Sequence, residues 1–124
     1  MSDDFEKEGM KMFREDICLT DKPIGVKYDG DKPRYELIPP HALDEMVKVL
    51  TIGAKKYDDE NWRKLDNLAN RYRGALLRHT MAIAQGELYD DETGLLHSAH
   101  AMCCTAFLTE YYKLKELGKW EGNN

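Results

Sequence analysis

The residues best equipped for chemistry lie between Arg78 and His100. This stretch carries three of the four histidines, His79, His97 and His100, and the carboxylates Glu87, Asp90, Asp91 and Glu92. Imidazoles and carboxylates gathered in one place are the usual material of a metal site or an acid/base site. His97 and His100 are three apart on a predicted helix, so they project from one face. Together with the acids they suit Mn²⁺, Fe²⁺ or Zn²⁺ better than an all-oxygen Mg²⁺ shell. Glu87, Asp90 and Glu92 alone could instead hold Mg²⁺, with His97 and His100 as outer partners or acid/base groups. The sequence leaves both open. The plain account of the acids is that they are charges before a helix, complementing its dipole. His79 falls on the apolar stripe of its predicted helix. A core histidine satisfied by one hydrogen bond is the plain account there, and a catalytic group beside the acidic loop is the other.

A second group supplies positive charge. Lys55, Lys56, Arg71, Arg73 and Arg78 read mostly as a solvated face. Lys56-Tyr57 followed by Asn61-Trp62 is more pointed. Tyr and Trp offer stacking surfaces for a base, Asn can read a base edge and Lys pairs with phosphate. Core filling is the alternative for Tyr57 and Trp62.

Three helices are needed to position these groups. The first opens at Pro39-Pro40, since proline suits a helix's first turn. Its stripe is Leu43, Met46, Val47, Leu50, Ala54 and Tyr57, one face of a helix ending near Tyr57. Val49 and Ile52 add a second, narrower stripe. The second helix runs from about Leu68 to Gly86 on Leu68, Tyr72, Ala75, Leu76, His79 and Ile83. The third is expected from near Thr93 to about Gly118. From Leu95 to Leu108 almost every residue is apolar or small, and a helix apolar all round is buried all round. In a short chain this predicts a homo-oligomer with that helix at the interface. The fold expected is all-α, a small antiparallel bundle of three to four helices.

The rest is less regular. Residues 1–33 read as an irregular N-terminal arm, with a weak amphipathic helix around Phe5, Met12 and Phe13. Residues 34–120 form the helical domain and 121–124 a tail. Asp29-Gly30 could turn a short hairpin between Val26-Lys27-Tyr28 and Arg34-Tyr35-Glu36-Leu37, with Pro33 confining the second arm to an edge.

Bulk properties set the outer bounds. The 124 residues predict one domain. A net charge of −5 argues against a duplex nucleic acid partner, which needs basic surface. No apolar run approaches the roughly 20 residues of a membrane span, and the charged N-terminus does not read as a signal peptide. A cytoplasmic protein with no membrane partner is expected. The cysteines are Cys18, Cys103 and Cys104. An odd count with an adjacent pair is no disulfide framework, and Cys103-Cys104 read as small core residues.

Several motifs occur in a specific order. They are Lys32-Pro33-Arg34-Tyr35-Glu36-Leu37-Ile38-Pro39-Pro40, Gly53-Ala54-Lys55-Lys56-Tyr57, Asn61-Trp62, Arg78-His79, Gly86-Glu87, Asp90-X-Glu92-X-Gly94 and His97-X-X-His100-Ala101. As an ordered set, over residues 31–110, they resemble the phage-associated dATP/dGTP diphosphohydrolase family. More distantly the chain is similar to the MazG-like, all-α nucleoside triphosphate pyrophosphatases. The resemblance implies a helical, oligomeric enzyme of the host cytoplasm. Such an enzyme hydrolyses a purine deoxynucleoside triphosphate to the monophosphate and pyrophosphate with Mg²⁺ or Mn²⁺. On this reading Glu87, Asp90, Glu92, His97 and His100 are candidate metal ligands, and Glu87, His79 and His97 candidate catalytic groups. Lys56, Tyr57, Asn61, Trp62 and Arg78 are candidates for holding the nucleotide. The chain departs from the MazG pattern, because His97-X-X-His100 stands where an acidic pair is expected. It departs from the closer family where Asp91 replaces an expected proline. Two other readings stay beside this one. One is a phage protein that binds and sequesters a nucleotide without cleaving it. The other is a structural helical oligomer.

Overall fold

The computed structural model describes residues 23–122. The expected helix around Phe5, Met12 and Phe13, and Cys18, lie outside the described residues. The chain divides into two units, residues 1–34 and 35–124. In the first unit a turn closes when the Lys32 amide donates to the Asp29 carbonyl at 3.1 Å. Ile24, Val26 and Tyr28 are exposed there.

The expected hairpin does not form: Tyr35–Leu37 is a 3-10 turn, and no strand occurs among the described residues. Pro33 removes a ladder donor, and an isolated two-stranded ribbon is marginal without a layer to cover it.

The second unit is all-α. Helix α1 spans Pro40–Lys56, α2 spans Leu68–Ala84 and α3 spans His97–Glu116. Pro40 starts α1 at the position where its missing N–H costs nothing. Lys55 and Lys56 sit in its last turn, facing the negative end of the dipole. A second 3-10 turn, Asn61–Lys64, follows, and Asn67 enters α2 in the left-handed region at φ 50°. Asparagine tolerates that conformation better than most residues.

Helix α2 stops two residues earlier than its stripe suggests, and glycine is the cause. Gly86 takes φ 88°. Its amide donates to Ile83 O, and the Glu87 amide to Ala82 O, each at 2.9 Å. That pair of bonds is a Schellman motif, which satisfies the last carbonyls and turns the chain out of the helix. Gly118 ends α3 in the same way, with Lys119 N donating to Leu114 O at 2.8 Å.

Helix α3 begins at His97, not near Thr93. Gly94 adopts φ 72°, and Leu96 bridges back to Tyr89. The amides of Asp90 and His97 donate to Leu95 O and Leu88 O, both at 2.8 Å. Residues 88–96 are thus a tight ribbon that delivers the chain to α3 already turned.

Helix α3 is central and packs on both α2 and α1. Its buried positions are His97, Ala99, Cys103, Cys104 and Tyr111, and Leu68 of α2 is wholly buried. The Leu95–Leu108 run is therefore buried on one side, by helices of its own chain; Thr105 is exposed. Farther along, Trp62 stacks on Phe107 at 5.0 Å, Tyr72 leans on Phe107, and Trp120 meets Tyr111 edge-on at 4.9 Å. Cys103 and Cys104 are buried and free, and burial pushes the Cys103 thiol up to about 11, which makes it a packing residue.

Candidate functional site

His79 comes from the last turns of α2, His97 and His100 from the first turn of α3, and the acids from the ribbon that joins them. Three residues offer one ligand atom each within 4.8 Å of one another: His79, Asp90 and His97. The Nδ1 atoms of His79 and His97 are 2.8 Å apart, so one ring donates and the other accepts. His100 stacks on His79 with centroids at 4.7 Å and an angle of 11°.

Asp90 is the hinge of the ribbon. Its Oδ1 accepts from the Glu92 amide at 3.0 Å, the Thr93 amide at 2.9 Å and the Thr93 hydroxyl at 3.2 Å. Burial works against its charge, but the Thr93 amide and hydroxyl, the neighbouring His100 and the Glu92 amide together outweigh that and hold its carboxyl below the usual range. Oδ1 takes all three of these bonds and leaves Oδ2 for a ligand. The Thr93 hydroxyl also meets His100 Nε2 at 2.7 Å, so one side chain orients two members of the cluster. Thr93 did not figure among the expected site residues. The spacing Asp90-X-X-Thr93, typical of a side chain capping the turn that follows it, was the available signal.

Burial, then the neighbouring His100 and His97, lowers the pKa of His79; burial also lowers that of His100. Both rings are therefore neutral near pH 7, the form in which imidazole binds metals. His97 is 6 % exposed, and its Nε2 is buried without a hydrogen bond. Glu87 Oε1 stands 3.4 Å from that atom, close enough for charge attraction. The neutral His79 ring, the anionic Asp90 carboxylate and the buried His97 ring, with ligand atoms within 4.8 Å of one another, fit a divalent cation.

The remaining residues fall around this cluster. Glu92 is exposed and pairs with Lys56 at 2.7 Å, which ties the end of α1 to the ribbon. Tyr57 is exposed, with the Lys56 ammonium 5.3 Å from its ring centre. Arg78 is exposed and folds back along α2, where a Cβ on Gly74 would stand 3.3 Å from its guanidinium. Asn61 starts the second 3-10 turn. Trp62 belongs to the aromatic group: Phe107 stacks on its ring, and the Arg63 guanidinium lies 4.9 Å from its centre. The geometry thus gathers His79, Asp90 and His97, sets Glu87 and His100 beside them, and leaves Glu92 on Lys56.

A sequence profile of the family described as dATP/dGTP diphosphohydrolase, N-terminal, matches residues 22–119. The chain is also similar to a dATP/dGTP diphosphohydrolase of Salmonella phage PMBT28, 38% identical over 84 residues that cover 68% of this chain. The match spans 28% of that phage protein. No solved structure matches the chain.

Proposed function

The chain belongs to the dATP/dGTP diphosphohydrolase family, and from that premise we propose that it hydrolyses purine deoxynucleoside triphosphates to monophosphate and pyrophosphate with a divalent cation, Mg²⁺ or Mn²⁺. The observation that carries the reading is the convergence of His79, Asp90 and His97 from two helices and a ribbon within 4.8 Å. Such a cluster is an open, catalytic type of site rather than a closed structural one, because it supplies only three protein ligands.

The bound ion would neutralise phosphate charge and lower the pKa of a water molecule. The chain's own residues do the rest. A histidine or a spare carboxylate beside the cluster takes the proton from the attacking water. The water oxygen bonds to the α-phosphorus, the bond to the α–β bridging oxygen breaks, and pyrophosphate leaves with that electron pair. Lys56 and Arg78 offset phosphate charge. To reach the phosphates Lys56 gives up its exposed pair with Glu92, which costs little because solvent screens the pair and hydrates both charges once they part. Tyr57 and Asn61 form the base-recognition group, with Tyr57 as its exposed ring, while Trp62 packs on Phe107.

We also propose that copies of the chain associate. The described residues include only six buried ones, a thin core for a chain of this length. Leu43, Val47 and Ile52 are exposed on α1, and an apolar groove runs between Val47, Thr51, Ile52 and Leu95. A second copy on this face would bury it. Since Ala99, Cys103 and Cys104 are covered within the chain, association falls to α1 rather than to the buried side of α3.

Pyrophosphate release from a panel of nucleotides, with and without Mn²⁺, tests the activity. Release from dATP or dGTP that depends on the cation is expected. Tight binding without release would mean a sequestering protein, and neither would mean a structural one; both overturn the proposal.

A further inference from the structure

We propose that His79, Asp90 and His97 form a one-ion site that selects a first-row transition cation, such as Mn²⁺, Co²⁺, Fe²⁺ or Zn²⁺, over Mg²⁺. The proposal deepens the cofactor half of the function given above and rests on that reading for the ion's use. The site itself stands on the geometry of the cluster.

The first observation is the spacing of the rings. Two nitrogens bound to one ion, each about 2.1 Å from it, stand about 3.0 Å apart at a right angle and about 3.4 Å apart at the tetrahedral angle. The Nδ1 atoms of His79 and His97 stand 2.8 Å apart. The two nitrogens hydrogen-bond to one another, and a bound cation would take the place of the shared proton. Here both face one another and share their neighbourhood with a carboxylate. Asp90 is fixed there by three bonds to one of its oxygens, so the other is available.

The second observation is the far end of His97. If Nδ1 gives its lone pair to an ion, the ring proton must sit on Nε2. That atom is buried and has no hydrogen-bond partner, and Glu87 Oε1 is 3.4 Å away. A carboxylate behind a ligating histidine is the usual way to fix its tautomer and strengthen it as a donor. Glu87 fits that role by a small movement of an exposed side chain. Thr93 plays the corresponding part for Asp90.

The donor set decides the metal. Mg²⁺ requires near-octahedral oxygen ligands and gives up water reluctantly, so two imidazoles suit it poorly. Imidazole with carboxylate suits the transition ions. An all-carboxylate alternative would need Glu87, Asp90 and Glu92 to converge. Glu92 instead lies exposed on Lys56.

The test is direct titration of the full, tag-free chain with Co²⁺, followed by the visible absorption that the bound ion acquires, and without nucleotide. One Co²⁺ per chain is expected. His79→Ala and Asp90→Asn should each weaken it by at least about a hundredfold, beyond the roughly 10–100-fold expected for Glu87→Gln as an outer partner. Glu92→Gln should leave the titration unchanged. Mn²⁺ should raise the melting temperature, and Mg²⁺ at the same concentration should not. Asp90→Asn keeps the oxygen that caps the ribbon, so it reads the site even if His79→Ala fails to fold. No Co²⁺ spectrum, unchanged binding in Asp90→Asn, loss of binding in Glu92→Gln, or equal stabilisation by Mg²⁺ would each overturn the site. Co²⁺ binding without pyrophosphate release would sink the hydrolase reading and leave the site standing. Release with Mg²⁺ alone and no Co²⁺ binding would do the reverse.

Discussion

Thr93→Val removes one oxygen and keeps the shape of the side chain. In the structure that oxygen holds three contacts: the Asp90 carboxylate at 3.2 Å, His100 Nε2 at 2.7 Å and the Leu95 amide at 3.2 Å. A typical net contribution is about 1 kcal/mol per hydrogen bond, so their sum sets a ceiling near 3 kcal/mol. Thr93 is only half-buried, and water can replace part of what is lost. A loss of about 1–2 kcal/mol is therefore expected, each kcal/mol lowering the melting temperature by roughly 4–8 °C. The functional effect should be larger in proportion. Asp90 loses the hydroxyl that orients it while keeping the two amide bonds. As an outer partner of a proposed ligand, Thr93 should cost about 10–100-fold in cation affinity. Denaturant melts of the metal-free chain give the first quantity and Co²⁺ titration gives the second. If Thr93→Val lowers stability by the expected amount but leaves cation affinity untouched, Thr93 serves the ribbon alone and Asp90 is not a ligand. If neither quantity moves, the hydrogen bonds assigned to the hydroxyl carry no weight.

Other expectations follow from particular contacts. Tyr57→Ala, at an exposed ring, should raise KM for a purine nucleotide without shifting the melting temperature. Trp62→Ala should lower the melting temperature clearly, because it strips the partner from Phe107; intact stability would show that the stack is incidental. Alkaline pH should destabilise the fold. Burial raises Cys103 from 9.0 to about 11 and Tyr72 from 10.0 to about 12, so above about pH 9 the unfolded chain releases protons that the folded chain keeps. Stability should fall as pH climbs through that window, and Cys103→Ala should flatten the first part of the fall; an unchanged slope would remove Cys103 as a cause. Light scattering should show an oligomer at micromolar concentration that Val47→Glu dissociates. A stable wild-type monomer would refute association through α1.

The sequence was informative wherever the physics is local. Pro40 marked the start of α1, and the apolar stripes identified all three helices, because both signals depend on neighbours within a turn or two. Gly86 and Gly118 already carried the helix ends, although their left-handed turns cut the helices a residue or two short of the stripes. The concentration of histidines and acids between 78 and 100 was equally plain. What could not be read was which of them meet. His79 reaches His97 across 18 positions, and Lys56 draws off Glu92 across 36. Those partners depend on how α2 and α1 cross α3, and no local pattern encodes that. The start of α3 is the clearest case. A helix from Thr93 would have spent that residue on a backbone turn. Gly94 and the Tyr89–Leu96 bridge hold it in the ribbon instead, where its hydroxyl orients Asp90 and His100. Likewise Trp62, which could equally have read a base or filled a core, meets Phe107 because the 3-10 turn carries it onto α3. Residue types determined what chemistry was available; the packing of three helices decided which side chains share it, since side-chain direction is set by helix position and not by spacing along the chain.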